Sequence, residues 1–424
     1  MKIRRKREKG TSTPPSTFNA FRSAERQFKD RNCPPRLDLV FDSRNIAWED
    51  SEVDGKLKGT WMNETGDRDV CYRVSLQGLS ETIGQSRWKG KAKETGRDYA
   101  IVIPRVPGLV FFPSIVPPET QRLLVVESLQ NAKQPNVTSL DPHYALPPEG
   151  LWNVFHSGRL HEVVERIKSP MPASDQNSEN TARSNTHGTP VRAESDDLID
   201  SDSSKVTMED LVPKLRWSNV GYHYNWTTKL YEFDRPFVPI PPLMLSCCSS
   251  IARAVPWHHV FEESDDECEA EGRTTRSDWA SWSTDYEPDA GIVNFYQTKD
   301  TLTGHTDHSE VDAVLPLVSL SLGASSIFLV GGLTKDIPPL AILLRSGDGL
   351  IMSGREGRRA YHGLPRVLED TLPDYLRARP SESDGTDSLA FDEQREWQLY
   401  GEYLERGSRI NINLRSGTKG DQIE

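Results

Sequence analysis

Nowhere does the chain approach the eighteen or so consecutive apolar residues that cross a bilayer. Its first thirty residues also lack the apolar core of a secretory signal, so neither a membrane partner nor export is expected. The five cysteines (Cys33, Cys71, Cys247, Cys248 and Cys268) are odd in number and form no CxxC pair. That pattern excludes a zinc ribbon, argues against a disulfide framework and points to a reducing compartment. There is no internal repeat. His161-Glu162 has Glu165 where an HExxH metalloprotease helix needs its second histidine, so this pair reads as part of a surface helix.

What is present is a chain of 424 residues, 35% hydrophobic, long enough for one large domain or two ordinary ones plus unstructured segments. A formal charge of −12 speaks against a nucleic-acid partner at first sight. The acids, however, are concentrated in two solvated runs, Glu194–Asp202 and Glu262–Glu271, whereas residues 1–36 carry eleven Lys/Arg against three acids. The cluster Lys2, Arg4, Arg5, Lys6, Arg7 and Lys9 fits a nuclear-import signal, a phosphate-seeking tail or a solvated terminus. Glu8 and Pro14-Pro15 interrupt the amphipathic helix of a mitochondrial presequence, which leaves the nucleus or cytoplasm as the expected location. A second basic stretch, Arg87–Arg97 around Trp88, suits either a nucleic-acid backbone contact or a charged loop.

Along the chain, composition divides the sequence into segments. Residues 1–36 form a basic tail, in which Phe21 and Phe28 suggest a short helix packing on the body. Residues 37–168 form a helix/strand region packing on the core, with strands at Ala100–Pro104 and Leu109–Phe112, a helix started by Pro117-Pro118-Glu119 and running to about Lys133, and a second helix over Trp152–Lys168. Residues 169–206, rich in Ser, Asn, Thr and Asp, cannot bury enough surface to offset ordering entropy and read as a disordered linker. Residues 207–260 hold the densest aromatic run, Leu215–Trp226 with Tyr231 beyond; half of its rings suit core packing and the rest suit stacking on a flat base. Residues 261–285 read as an acidic surface insertion. Over 286–416, short apolar runs alternate with Gly/Pro/Asp turns, which indicates an all-β sandwich or barrel, and 417–424 is a tail.

The stretch Gly291–Glu310 carries the chemistry. Residues two apart in a strand share a face, so His305 and Asp307 can reach one ion together. An imidazole and a carboxylate completed by a distant histidine make the facial triad that holds non-haem Fe(II) and leaves positions open. The same stretch offers a second pair, His308 and Glu310, on the opposite face, so context must choose. Tyr361-His362-Gly363 supplies another histidine. The last strand places Arg409, Asn411, Asn413 and Arg415 on one face, and Ile410, Ile412 and Leu414 on the other. Two arginines and two amides facing inward are costly without an anionic partner, and a dicarboxylate is a natural one because guanidinium pairs with it bidentately.

Asn294-x-Tyr296, His305-x-Asp307, Tyr361-His-Gly363 and the closing Arg409-x-Asn411-x-Asn413-x-Arg415, with Leu320–Gly323 and Ile327–Gly332 between, resemble the AlkB family of Fe(II)- and 2-oxoglutarate-dependent nucleic-acid dioxygenases. Leu215-Arg-Trp217 leading into Gly221–Trp226, and Ser346-Gly-Asp348 leading into Ile351–Gly354, are similar to its AlkB homologue 1 branch. The resemblance implies an α+β, mainly β fold: a double-stranded β-helix (jelly roll) core with N-terminal helical elements and disordered insertions. It further implies His305, Asp307 and His362 as iron ligands, and Asn294, Tyr296, Arg409, Asn411, Asn413 and Arg415 around 2-oxoglutarate. Trp217, Tyr222, His223 and Tyr224 match the family's nucleotide-recognition lid. Asn413 stands where the family usually has Thr, and Ser309 stands where bacterial repair enzymes carry an Asp that touches the base.

The implied activity is oxidation of a base methyl group with O2, on tRNA carrying 1-methyladenine or 5-methylcytosine or on DNA carrying 6-methyladenine, by a monomer. A base inside a duplex is unreachable, so the substrate is single-stranded, looped or flipped. Two other classes fit parts of the sequence: an oxygenase of protein side chains, and a catalytically silent RNA-binding scaffold.

Overall fold

A computed structural model describes residues 18–79, 98–167, 205–225, 228, 230–261, 272–307, 313–378 and 388–417. Five antiparallel strands come first: β1 (Ala47–Val53), β2 (Lys56–Met62), β3 (Arg68–Ser75), β4 (Tyr99–Val102) and β5 (Leu109–Phe112). Short β6 (Val163–Glu165) pairs with β7 (Lys205–Thr207), and β8 (Trp217–Gly221) precedes a hairpin of β9 (His223–Asn225) and β10 (Leu230–Glu232). The C-terminal strands are β11 (Ala290–Tyr296), β12 (Leu302–His305), β13 (Leu317–Gly323), β14 (Ser326–Val330), β15 (Leu340–Leu344), β16 (Gly349–Met352), β17 (His362–Val367) and β18 (Arg409–Arg415).

These strands make a ten-stranded sheet, ordered β1-β2-β3-β4-β5-β16-β13-β18-β11-β8, and a four-stranded one, ordered β12-β17-β14-β15. The layering follows from side-chain alternation, most plainly on β18. Ile410, Ile412 and Leu414 join Val318, Leu320, Val293 and Phe295 in a core roofed by helices Pro118–Gln130 and Pro242–Ala254. Leu109, Phe111, Leu350 and Met352 project from the other face of the large sheet and meet Val330, Leu340, Ile342 and Leu344 of the small sheet. One half of the space between the sheets is therefore an apolar core. On the same face, further along, stand Asn294, Tyr296, Arg409, Asn411 and Arg415, all buried. Polar side chains fill the other half of that layer, which is where a site must be sought.

The helix Ala20–Lys29 seals the outside of the small sheet. Asn19 caps it by accepting from Arg22 N–H, and Phe21 and Phe28 pack on Ile327, Leu329, Ala341 and Leu343. A Cβ on Gly304 would lie 2.3 Å from the Phe21 ring, so only glycine lets β12 come this close. Phe21 is fully buried, and Phe21→Ala should lower the stability of the apoprotein by about 3–5 kcal/mol in urea denaturation. A loss under about 1 kcal/mol would mean the helix does not secure the sheet it covers.

Several sequence expectations need correction. The short helix expected around Phe21 and Phe28 forms and packs on the body, so the segment expected as tail is body from residue 18 on; residues 1–17 lie outside the described region. Residues 37–168 do more than pack on the core: β1–β5 continue the large sheet through the β5–β16 pairing. The second expected helix stops at His156, because Gly158 takes a positive φ of 82° and β-branched Val163-Val164 then pairs as a strand with β7. That strand also takes Lys205 and Val206 out of the expected linker, the rest of which lies outside the described residues, as do Arg87–Arg97. Within 272–285 two helical turns, Arg276–Trp279 and Trp282–Asp285, replace the expected surface loop. Trp279 and Trp282 are buried, the latter edge-on to Trp257. A helix over Ser388–Glu405 interrupts the expected all-strand core and buries Trp397, Tyr400, Tyr403 and Leu404.

Candidate metal and co-substrate site

Strand pairing brings the two histidines together. His305 closes β12 and His362 opens β17, and the two are direct cross-strand partners with ring centroids 4.4 Å apart. Each Nδ1 meets a backbone carbonyl two residues earlier: Thr303 O at 2.9 Å for His305 and Ala360 O at 3.0 Å for His362. A carbonyl oxygen only accepts, so each Nδ1 carries the proton and each Nε2 keeps its lone pair for a ligand. Asp307 lies just past the end of β12, two residues beyond His305. Its Oδ1 is 3.7 Å from His305 Nε2, and ligand atoms of His305, Asp307 and His362 all lie within 4.8 Å of one another.

Electrostatics suit a cation at this point. Burial by itself would raise the Asp307 carboxyl, but Arg415, His362 and His305 hold it well below the ordinary carboxylate range. Arg415 donates from Nη1 to Asp307 Oδ2 at 3.1 Å and from Nε to the Tyr231 hydroxyl at 2.7 Å. One carboxylate oxygen is thereby occupied while the other faces the imidazoles. Two imidazoles that can each present Nε2 and one anionic carboxylate on one side of a point are a donor set for a divalent transition metal, and three protein ligands leave coordination positions open.

Beside this cluster is a buried cation. Arg409 is 0% exposed, donates to Ser321 Oγ at 2.8 Å and to Ala324 O, and leaves Nε without a partner. No carboxylate pairs with it among the described residues. Burial pushes its pKa down to about 10, offset in part by Tyr296 and Asp348. Tyr296 is its cross-strand neighbour, with a phenol raised by the same burial. Asn294 lies two pairs along the strand, on the same face, and its Oδ1 is buried and unpartnered. An unpaired buried guanidinium and an unsatisfied amide fit an anionic guest such as a dicarboxylate.

The other expected residues fall into place less uniformly. Asn411 is fully engaged, donating to Ser319 Oγ and Leu320 O and accepting from Asn413 Nδ2 at 2.8 Å, so both amides brace the sheet around the cation. Arg415 faces Asp307 and Tyr231. Trp217 pairs across from Asn294 and is buried with Tyr224, Tyr231, Ala290 and Ile292, whereas Tyr222 is half-buried against Phe233 and Phe237. His223 accepts from Asn219 Nδ2 at 2.9 Å, and burial together with Arg235 keeps its pKa below the ordinary value. Ser309, His308 and Glu310 lie outside the described residues. Tyr231 was missed as a site residue; its only sequence signal was membership of the aromatic run.

The comparisons with known proteins agree with this geometry. The model of the 2OG-Fe(II) oxygenase superfamily matches residues 170–415. The chain belongs to that superfamily and, within it, to the AlkB family and its AlkB homologue 1 branch. Fe(II), 2-oxoglutarate and O2 come with membership. Mouse "Nucleic acid dioxygenase ALKBH1" is 29% identical over 316 residues, covering 73% of this chain and 64% of that protein. Arabidopsis thaliana "DNA N(6)-methyladenine demethylase ALKBH1A" is 33% identical over 215 residues, covering 51% and 52%. Schizosaccharomyces pombe "tRNA demethylase abh1" is 29% identical over 286 residues, covering 66% and 75%. The chain thus spans between half and two thirds of the length of the first two.

Proposed function

We propose that this chain is an Fe(II)- and 2-oxoglutarate-dependent oxygenase that removes or hydroxylates methyl groups on nucleobases. The observation that carries the reading is the convergence of His305, Asp307 and His362 next to an Arg409 whose charge has no carboxylate partner among the described residues. The strand order supports a jelly-roll reading of the core: β16-β13-β18-β11 faces β12-β17-β14-β15, with consecutive strands mostly alternating between the sheets. His305, Asp307 and His362 would hold the iron, and Arg409 would take the distal carboxylate of 2-oxoglutarate, with Asn294 and Tyr296 completing its cradle. Bound iron supplies the oxidation of a C–H bond at the methyl group, with O2 as oxidant and 2-oxoglutarate as the reductant.

The protein's own share is placement. Arg415 fixes Asp307 with one oxygen turned to the imidazoles, and the two backbone carbonyls fix both imidazole tautomers. The apolar half of the interlayer closes the site from behind and keeps water from it. The β9–β10 hairpin, with Tyr222 half-buried and Phe233 and Phe237 exposed, offers ring faces to an extruded base. A hydroxylated N-methyl group leaves as formaldehyde, while a hydroxylated C-methyl group stays on the base. By analogy with the named activities of its relatives, tRNA and DNA bearing 6-methyladenine are the proposed substrates, with 1-methyladenine or 5-methylcytosine as the tRNA bases that the family resemblance implies.

Purified protein supplied with Fe(II) and 2-oxoglutarate should release succinate faster when given methylated single-stranded or stem-loop oligonucleotides, with matching loss of the methylated nucleoside by mass spectrometry. Stimulation by methylated peptide and not by oligonucleotide would assign the site to protein side chains instead.

A further inference from the structure

The β9–β10 hairpin has three residues per strand, too little to hold itself in place. Asn219 of β8 holds β9, donating to Tyr224 O at 3.0 Å and to His223 Nδ1 at 2.9 Å, and two further features fix the hairpin through its rings and β10. Tyr224 and Tyr231, cross-strand partners with centroids 5.4 Å apart, pack on Trp217, Ala290 and Ile292. Further, the Tyr231 hydroxyl accepts from Arg415 Nε at 2.7 Å, and the same guanidinium donates from Nη1 to Asp307 Oδ2 at 3.1 Å. On its other side the Tyr231 ring stacks with Phe233, at 6.0 Å and 26°, which is exposed on the hairpin.

A guanidinium is planar and rigid, so fixing its Nε fixes the direction in which Nη1 points. Arg415 reaches Asp307 from β18, and rotation about its side-chain bonds would otherwise let it follow the carboxylate or leave it. Tyr231 removes that freedom. We infer that Tyr231 is a positioning residue for the metal carboxylate, acting through Arg415, and that the lid hairpin and the metal centre are thereby mechanically joined. The inference rests on reading His305, Asp307 and His362 as a metal centre. Outer-shell partners that orient a ligand are each worth about 10–100-fold in metal affinity, and the coupling runs both ways: whatever orders the hairpin tightens the metal, and the metal orders the hairpin.

The test uses the full chain without nucleic acid. Mn(II) affinity is titrated by electron paramagnetic resonance in the wild type, in Tyr231→Phe, which keeps the ring and removes only the hydroxyl, and in Arg415→Lys, which keeps the charge but cannot hold both partners. Each variant should bind Mn(II) about tenfold more weakly. In an Arg415→Met background, Tyr231→Phe should have no further effect, an outcome that loss of packing alone would not give. Hydrogen exchange of residues 223–225 and 230–232 should slow on Mn(II) addition in the wild type and not in Tyr231→Phe. Should Tyr231→Phe fail to fold, Arg415→Lys and the wild-type exchange measurement decide. Unchanged affinity in the variants, or no metal-dependent protection of the wild-type hairpin, would overturn the inference alone. A wild type that binds no Mn(II) would overturn the metal centre and the inference together.

Discussion

Arg409→Met is expected to raise the 2-oxoglutarate concentration for half-maximal turnover by about two orders of magnitude, because truncating one side of a buried charge pair costs about 2–5 kcal/mol and leaves the other charge unpaired. The apoprotein should respond the opposite way. Arg409 has no carboxylate partner among the described residues, and an apolar side chain of similar length replaces a desolvated cation with packing. Thermal denaturation without co-substrate should therefore show Arg409→Met at least as stable as the wild type, and added 2-oxoglutarate should stabilise only the wild type. A variant that is much less stable as apoprotein, with an unchanged 2-oxoglutarate requirement, would make Arg409 a structural residue and place the anion elsewhere.

Asp307→Ala should remove turnover altogether, a fall of at least about a thousandfold, at any iron concentration, since the only anionic ligand of the cluster is lost. The domain should remain folded. Arg415 loses its carboxylate but keeps Tyr231, so the apoprotein is destabilised by about 1–3 kcal/mol, the cost of leaving a polar group underpaired. Asp307→Asn, whose amide oxygen can still accept from Arg415, should recover most of that stability and none of the activity. Circular dichroism and succinate release together check both statements; activity retained at saturating iron would remove Asp307 from the site.

How much of this was legible depended on the range of the interaction. The alternation in Arg409–Arg415 is local, and the structure places the isoleucines and leucine under the helices and the arginines and asparagines between the sheets as that pattern requires. The nearness of His305 and His362 was not local. Only their separate motifs pointed to it, and the β12–β17 register realises it. The spacing of His305 and Asp307 was local, and their ligand atoms do reach one point although β12 ends at His305.

Elsewhere, composition misled where a few large rings outweighed many polar residues. The 272–285 stretch reads as a surface loop until Trp279 and Trp282 are found packed beneath it. The Ser388–Glu405 helix carries its own signal, Trp397, Tyr400, Tyr403 and Leu404 at intervals of three and four, hidden by the surrounding run of strands. The Ser346-Gly-Asp348 motif carried resemblance without a role. In the fold, Asp348 accepts from the N–H groups of Ser114 and Arg345, and Ser346 Oγ donates to Gln121, so the motif ties the β15–β16 turn to the helix above it. Arg415 to Tyr231 joins residues 184 positions apart through side chains alone, and no pattern in the chain announces it.

Whether His305, Asp307 and His362 together hold one ferrous ion is read out by anaerobic equilibrium dialysis against Fe(II). The wild type should bind one tightly held ion per chain, and His305→Ala and His362→Ala should each lose it while keeping the wild-type circular dichroism spectrum. Undiminished binding in either histidine variant, or none in the wild type, would mean that these side chains do not form the iron site.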